Sequence, residues 1–467
     1  MGRVVQRSRV TISALPPDVL LEIFKSYVNQ KHDEDAWYAL VHVCRVWRDV
    51  VFSSPRRLHL ELRCTNTRPV KRMLDVWPAL PVVIDAFICD PRQSDMTNIA
   101  AALKRHDLVC RINIWGVPNW LLKSAAIRKG FPELTDLVLH SNEEDVPVIA
   151  DSILGGSAPR LRSLQFIGIP FPAVGKLLLS STHLVTFHLL NIPNSGYIPP
   201  EQIATGLSAL TMLQEFSIGF RSPPSRADRD RRPLPPLKRL LLPSLTEVYF
   251  KGDSKYLEDV IGRIDAPALD KVTITFFNQL VFETPLLREF LRRTEVFQDP
   301  YRADVSVTGL YIKFVLFQLK GTAERLILEV QISSRVAEWQ LSSMAQFFNT
   351  SLPPLPTLEC LGIYWDFGGW PEPSDDVDSA PWLELLHSFV TVKDLVLSES
   401  LDSYVASALQ ALTGNTVTEV LPVLRRVFVN ASFSWSTAWE ALLQFSTARQ
   451  LSGHPVALYS ADIVRRS

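Results

Sequence analysis

Residues able to do chemistry are scattered along this chain, outside the spacings that catalysis needs. No Gly-x-Ser-x-Gly nucleophile turn, His-Glu-x-x-His metal pair or Gly-x-Gly-x-x-Gly dinucleotide turn occurs. The stretch from Gly168 to Lys176 resembles a phosphate loop only superficially. Six residues separate Gly168 from the Gly175-Lys176 pair, and Leu177 stands where Ser or Thr would ligate magnesium. His183 and His188 lie five apart in a predicted strand, on opposite faces, so no shared metal is expected. The five cysteines are Cys44, Cys64, Cys89, Cys110 and Cys360. Their number is odd, their spacings are long, and no Cys-x-x-Cys occurs, which speaks against a disulfide framework or a structural zinc site. Asn349-Thr-Ser and Asn430-Ala-Ser fit the glycosylation acceptor pattern, which matters only in a secreted protein. The expectation is a chain that is not an enzyme and carries no cofactor and no metal.

The composition narrows the class further. In 467 residues, 21% are charged and 47% hydrophobic, which excludes a disordered chain. Forty-eight Lys and Arg against 49 Asp and Glu leave a net charge of −1, so no bulk pull toward nucleic acid or an anionic membrane follows. No run of about 20 apolar residues marks a transmembrane helix. The opening MGRVVQRSRV carries three Arg with no apolar stretch behind it, so no secretory signal is expected. Cytoplasm or nucleus is the expected location, because the cysteine usage suits a reducing compartment.

Two helical patterns stand near the amino end. In TISALPPDVLLEIFKSYV, Pro16 and Pro17 suit the turn into a helix, and Asp18 suits its positive end. Val19, Leu20, Ile23, Phe24 and Tyr27 then form an apolar stripe. After the polar break NQKHDED, Trp37, Leu40, Val41, Cys44, Trp47 and Val51 recur at helical spacing, and Ser53-Ser54-Pro55 stops the run. Fifty residues bury little surface alone. These helices carry apolar residues on two sides, so part of that surface is expected to stay open for a partner.

The pair LPPDVLLEIFKSYV and VHVCRVWRDVVFSSPRRL resembles the F-box, matching over residues 11–58 at Leu15, Pro16, Leu20, Ile23, Phe24, Val43, Cys44, Arg45, Trp47 and Arg48. Two features depart from the family pattern: the link NQKHDEDAWY is long, and His59 stands where a tryptophan often follows. The resemblance implies docking onto a Skp-type adaptor, and through it a cullin, with Leu15, Pro16, Leu20, Ile23, Phe24, Val43, Cys44 and Trp47 as adaptor-binding residues. The chain would then choose an unknown protein substrate while other subunits supply the chemistry of ubiquitin transfer.

Beyond residue 60 one motif recurs: apolar-x-x-apolar-x-apolar. It starts at Val109, Leu134, Leu161, Leu184, Leu213, Leu245, Leu269, Ala323, Leu358, Val392 and Leu424. Starts lie 23 to 35 residues apart except for one 54-residue interval, where a degenerate unit is expected near LLREFLRR. A proline often precedes the motif, where it does not interrupt a strand ladder. The two last apolar positions share one face of a strand, and stacked units bury those faces continuously. The array looks like an irregular leucine-rich-repeat solenoid, in a style similar to basidiomycete fungal F-box chains. The predicted fold class is therefore a small α-helical F-box followed by an α/β leucine-rich-repeat-like solenoid. Its predicted divisions are a basic tail 1–10, the F-box 11–60 and the array 61–467.

Two charged loops interrupt the array: 221–236, with five Arg, and 366–381, with five acidic residues and no basic one. Solvated insertion is the plainer reading of both. Residues on the outward strand face are the predicted substrate-binding set: His140, Gln165, His188, Tyr249, Lys251, Tyr364 and Phe428. Ser217, Thr273, Ile327 and Asn430 belong to the same outward pattern. Tyr249, Tyr364 and Phe428 are the expected anchors, since aromatic residues dominate binding hot spots. The rival expectation is a non-enzymatic repeat scaffold whose F-box-like helices merely cap the solenoid.

Overall fold

Helix α1 spans Pro17–Lys31, with Asp18 in its first turn and Lys31 in its last, so both ends complement the helix dipole. Leu20, Leu21 and Phe24 turn inward, while Val19 and Ile23 stay exposed. Two shorter helices follow, α2 (Trp37–Val41) and α3 (Arg45–Ser53). Trp37 is fully buried, and its ring meets Phe52 of α3 at 6.3 Å. The Arg48 guanidinium donates from Nε to the Val41 carbonyl at 2.9 Å, which ties α3 to the end of α2.

The computed structural model describes residues 12, 15–31, 36–55, 57–65, 71–76, 79–89, 96–171, 175–223, 239–279, 281–333, 337–365, 379–397, 402–414, 416–430 and 437–461. They form two compact units, Met1–Ser163 and Leu164–Ser467. The tail 1–10 lies outside the described residues, as do most of the loops 221–236 and 366–381.

In the first unit the three helices lead through a turn directly into a sheet. Leu58 and Leu60 are buried, and the Leu60 amide donates to the Pro55 carbonyl at 2.9 Å. Strands β1 (Leu62–Cys64), β2 (Val82–Phe87), β3 (Val109–Trp115) and β4 (Asp136–His140) then run parallel in sequence order. In β4, Leu137 and Leu139 are buried while Asp136, Val138 and His140 are half-buried, the period-two alternation of a strand with one covered face.

The second unit continues the pattern with β5 (Ser163–Ile167), β6 (Thr186–Ile192), β7 (Glu215–Phe220), β8 (Leu240–Leu241), β9 (Glu247–Gly252), β10 (Ile264–Asp265) and β11 (Lys271–Phe276). After them come β12 (Arg302–Val307), β13 (Tyr311–Lys320), β14 (Ala323–Ser333), β15 (Cys360–Trp365), β16 (Asp394–Leu397), β17 (Arg426–Asn430) and β18 (Ala457–Ala461). The main sheet orders them β5-β6-β7-β9-β11-β14-β13-β12-β15-β16-β17-β18, and β8 pairs only with β10. From Leu134 to Leu269, and from Leu358 to Leu424, each recurring motif opens two residues before a strand. Val109 and Ala323 open their strands directly. Successive amides at a strand start converge on the carbonyl just ahead of the neighbouring strand: Thr246 and Glu247 on Gln214, Asp270 and Lys271 on Thr246. The inward pairs, such as Phe187/Leu189, Phe216/Ile218 and Val272/Ile274, are buried and make the core with helices that return along the sheet.

The 54-residue interval differs from expectation. LLREFLRR lies in the helix Pro285–Arg293, and the interval holds β12 and β13. Thr308 Oγ1 accepts from the Leu310 and Tyr311 amides and turns β12 back into β13. Gly321, at φ 66°, turns β13 into β14. The result is a three-strand antiparallel meander set into a parallel sheet, with β14 parallel to β11 and β12 parallel to β15.

The predicted fold class, a small α-helical F-box followed by an α/β leucine-rich-repeat-like solenoid, is corrected by this architecture. Each unit is an α/β structure on a mostly parallel sheet, and among the described residues no small helical F-box stands apart. Helices α1–α3 belong to the same compact unit as β1–β4. The physical reason is size: three short helices bury too little surface to close a core, and Leu58 and Leu60, between α3 and β1, are themselves buried.

Candidate functional site

On the N-terminal helices the apolar residues divide into two sets. The rings of Phe24 and Trp47 meet at 4.7 Å and join α1 to α3, with Leu20 and Phe24 fully buried and Trp47 half-buried. Leu20 and Phe24 are thus core and present nothing to a partner. Outside lie Ile23, 41% exposed, and Val43, 58% exposed, together with Val19, Val46, Pro16 and Cys44. Leu15 is half-buried. Val19 and Ile23 sit one helical turn apart on one side of α1. Of the predicted adaptor-binding set, Pro16, Ile23, Val43 and Cys44 are therefore exposed.

The second candidate surface is the outward face of the strands. His140, Gln165, His188, Tyr249, Lys251, Tyr364 and Phe428 are all half-buried there. Ile327 departs from its expected place and is fully buried. A register shift between Leu316 and Phe317 interrupts the alternation beside it. The side chain of Asn430 lies outside the described residues.

The structure gathers these residues into separate groups. In the first unit, His140 packs against Trp115 at 4.6 Å, and Phe87, Trp115 and His140 share one row across β2, β3 and β4. The Trp115 indole donates to Asn113 Oδ1 at 3.0 Å. A groove of about 760 Å³ also opens among the strand starts of this unit, with Glu61, Asp107 and Glu133 in its lining. Each of those carboxylates already faces an arginine, respectively Arg111, Arg105 and Arg160.

In the second unit His188 and Tyr249 line one depression of about 300 Å³ with Glu215, Ser217, Glu247, Lys271 and Thr273. His188 Nε2 lies 3.4 Å from Glu215 Oε2. Burial pushes the imidazole below its ordinary range and outweighs the upward pull of Glu215 and Glu247. Burial thus disfavours the charged ring beside Glu215. Burial raises the Tyr249 phenol, against the hydrogen bond it shares with Thr275.

Further along, Tyr364 joins a charged cluster. Arg302 forks onto Asp304 through Nε and Nη2, both at 2.9 Å, and donates to the Tyr364 hydroxyl at 2.8 Å. Burial pushes Asp304 up to about 6 against the pull of Arg302, and pushes Tyr364 up to about 12. Gly362 makes room for this cluster, since a Cβ there would overlap the Tyr364 ring and Asp304 Oδ1. Phe428 stacks on Tyr459 at 5.2 Å, and the Arg426 guanidinium lies over the Phe428 ring, 5.7 Å from its centre.

Glu215, Glu247, Lys271, Arg302 and Asp304 were missed by sequence reasoning. The first three sit two residues before Ser217, Tyr249 and Thr273, so the same alternation of strand faces reaches them. Arg302 and Asp304 lie in β12, which carries no motif. Among the described residues no three His, Cys, Asp or Glu side chains gather to hold a metal ion. No helix among them is long and apolar enough to cross a membrane. No family model and no curated protein matches the chain.

Proposed function

We propose that this chain is a substrate-recognition subunit of a Skp-cullin-F-box ubiquitin ligase, acting in the cytoplasm or nucleus. The exposed residues of α1 and of the turn that leads into α3 dock a Skp-type adaptor, and the outward strand face binds the target protein. The chain itself does no bond chemistry. One observation carries the reading: Ile23 and Val43 stay open to solvent, while Leu20 and Phe24 beside them turn inward and Phe24 packs on Trp47. Exposed apolar side chains that their own domain does not need are expected of a protein interface.

The test is capture of a purified Skp-type adaptor by the full chain. Wild type binds, and Ile23→Asp or Val43→Asp weakens binding by about tenfold or more while circular dichroism and melting stay unchanged. No capture by wild type, or equal capture by both variants, sinks the proposal.

A further inference from the structure

The outward face of β6, β7, β9 and β11 carries a built furrow. Ser217 is the short residue of β7 in its lining, and it lies between His188 on β6 and Tyr249 on β9. Small residues on one strand between large ones on its neighbours leave a trough. Its volume of about 300 Å³ suits one long side chain and is at the small end for a free metabolite.

One end of the trough is charged in an unusual way. Glu215 and Glu247 stand directly opposite each other on adjacent strands. Like charges in that position destabilise a sheet. Their side chains are 47% and 54% exposed, so both remain available. Among the described residues, Lys271 is the cation recorded against the pair, 3.8 Å from Glu247. His188 Nε2 lies 3.4 Å from Glu215, and burial disfavours the charged form of its ring. Tyr249 is tied at its hydroxyl by Thr275, and its ring leans toward Gly219, 3.5 Å from where a Cβ would sit.

We propose that this furrow takes an arginine side chain of the target, its guanidinium shared by Glu215 and Glu247 and its plane beside the Tyr249 ring. The inference rests on the reading of the outward face as the target-binding surface and names the chemistry it selects. A guanidinium offers donors in a planar fork that two carboxylates can accept together, and it stacks on an aromatic ring. An ammonium gives a point charge without the plane.

Saturation-transfer NMR on the full chain tests this with acetyl-Gly-Arg-Gly-amide and the same peptide carrying citrulline, which keeps the shape and loses the charge. The arginine peptide gives saturation on its side-chain methylenes. The citrulline peptide binds about tenfold more weakly, and so does the arginine peptide to the variant Glu215→Gln/Glu247→Gln. Ser217→Phe fills the trough without touching the carboxylates, and it decides the matter should the double variant fail to fold. No saturation with wild type, equal saturation by citrulline, or unchanged binding by a folded variant overturns the proposal. Adaptor capture depends on Ile23 and Val43, far from this furrow in sequence. Arginine binding without adaptor capture therefore removes only the ligase assignment, and the reverse result removes only the arginine furrow.

Discussion

The Phe24 ring lies 4.7 Å from the Trp47 indole, at 54° to it, and this contact joins α1 to α3. Phe24 is fully buried, whereas its chain neighbour Ile23 is open. Phe24→Ala is expected to cost about 3–5 kcal/mol, because a large buried ring leaves a cavity. Ile23→Asp is expected to change stability by about 1 kcal/mol or less, as an exposed position. Urea unfolding of both variants checks the contrast, and comparable losses would mean that Ile23 is core.

Gly362 and Tyr364 make a second close relationship. Gly362→Ala drives a methyl into the Tyr364 ring and Asp304, with an expected loss of about 1–3 kcal/mol. Arg302→Met leaves the Asp304 carboxylate half-desolvated without its fork, and a loss of about 2–4 kcal/mol is expected, discounted for partial exposure. Thermal unfolding of each variant measures this. A neutral Arg302→Met would show that the cluster adds nothing at neutral pH.

His188 has a defined pH signature. Burial lowers its folded value below the unfolded 6.5, so the folded state binds fewer protons between those two values. Stability contributed by His188 is therefore present above pH 6.5 and is lost as pH falls through the folded value. Glu215 from β7, Glu247 from β9 and the outer Lys271 are the charged groups facing this ring. The His188→Asn variant is expected to lose stability less steeply than wild type on acidification below pH 6.5. An imidazole titration by NMR with a midpoint above 6.5 reverses the sign and refutes the lowered value.

The helix Pro285–Arg293 begins on a buried carboxylate. Glu258 accepts from the Leu286 amide at 3.0 Å and the Leu287 amide at 2.6 Å. Those amides belong to the first helical turn and have no partner within the helix. Glu258→Ala strands them in a buried place, and a cost of about 1–3 kcal/mol is expected. Chemical denaturation measures it, and hydrogen exchange at Leu287 should quicken in the same variant.

Much of this was legible in residue order, because it is local. A strand with one covered face repeats every second residue, so Leu137 and Leu139, or Phe216 and Ile218, identify themselves as inward without any knowledge of neighbours. The same alternation assigns His188 and Tyr249 to the outward face. Helix α1 announces itself through Pro17, Asp18 and its apolar stripe, all within one segment.

Tertiary packing decided the rest, since it depends on what each segment meets. The stripe of α1 could not say that Phe24 would close on Trp47 while Ile23 stayed open, because both residues are apolar and adjacent. The meander β12–β13–β14 pairs out of chain order and reverses one strand, so no fixed repeat length reveals it. Arg302 and Tyr364 are 62 residues apart and meet only because β12 and β15 run side by side. The helices α1–α3 read by themselves as a small domain. Their short apolar faces cannot close a core unaided, and the folded chain carries them within the unit that also holds β1–β4.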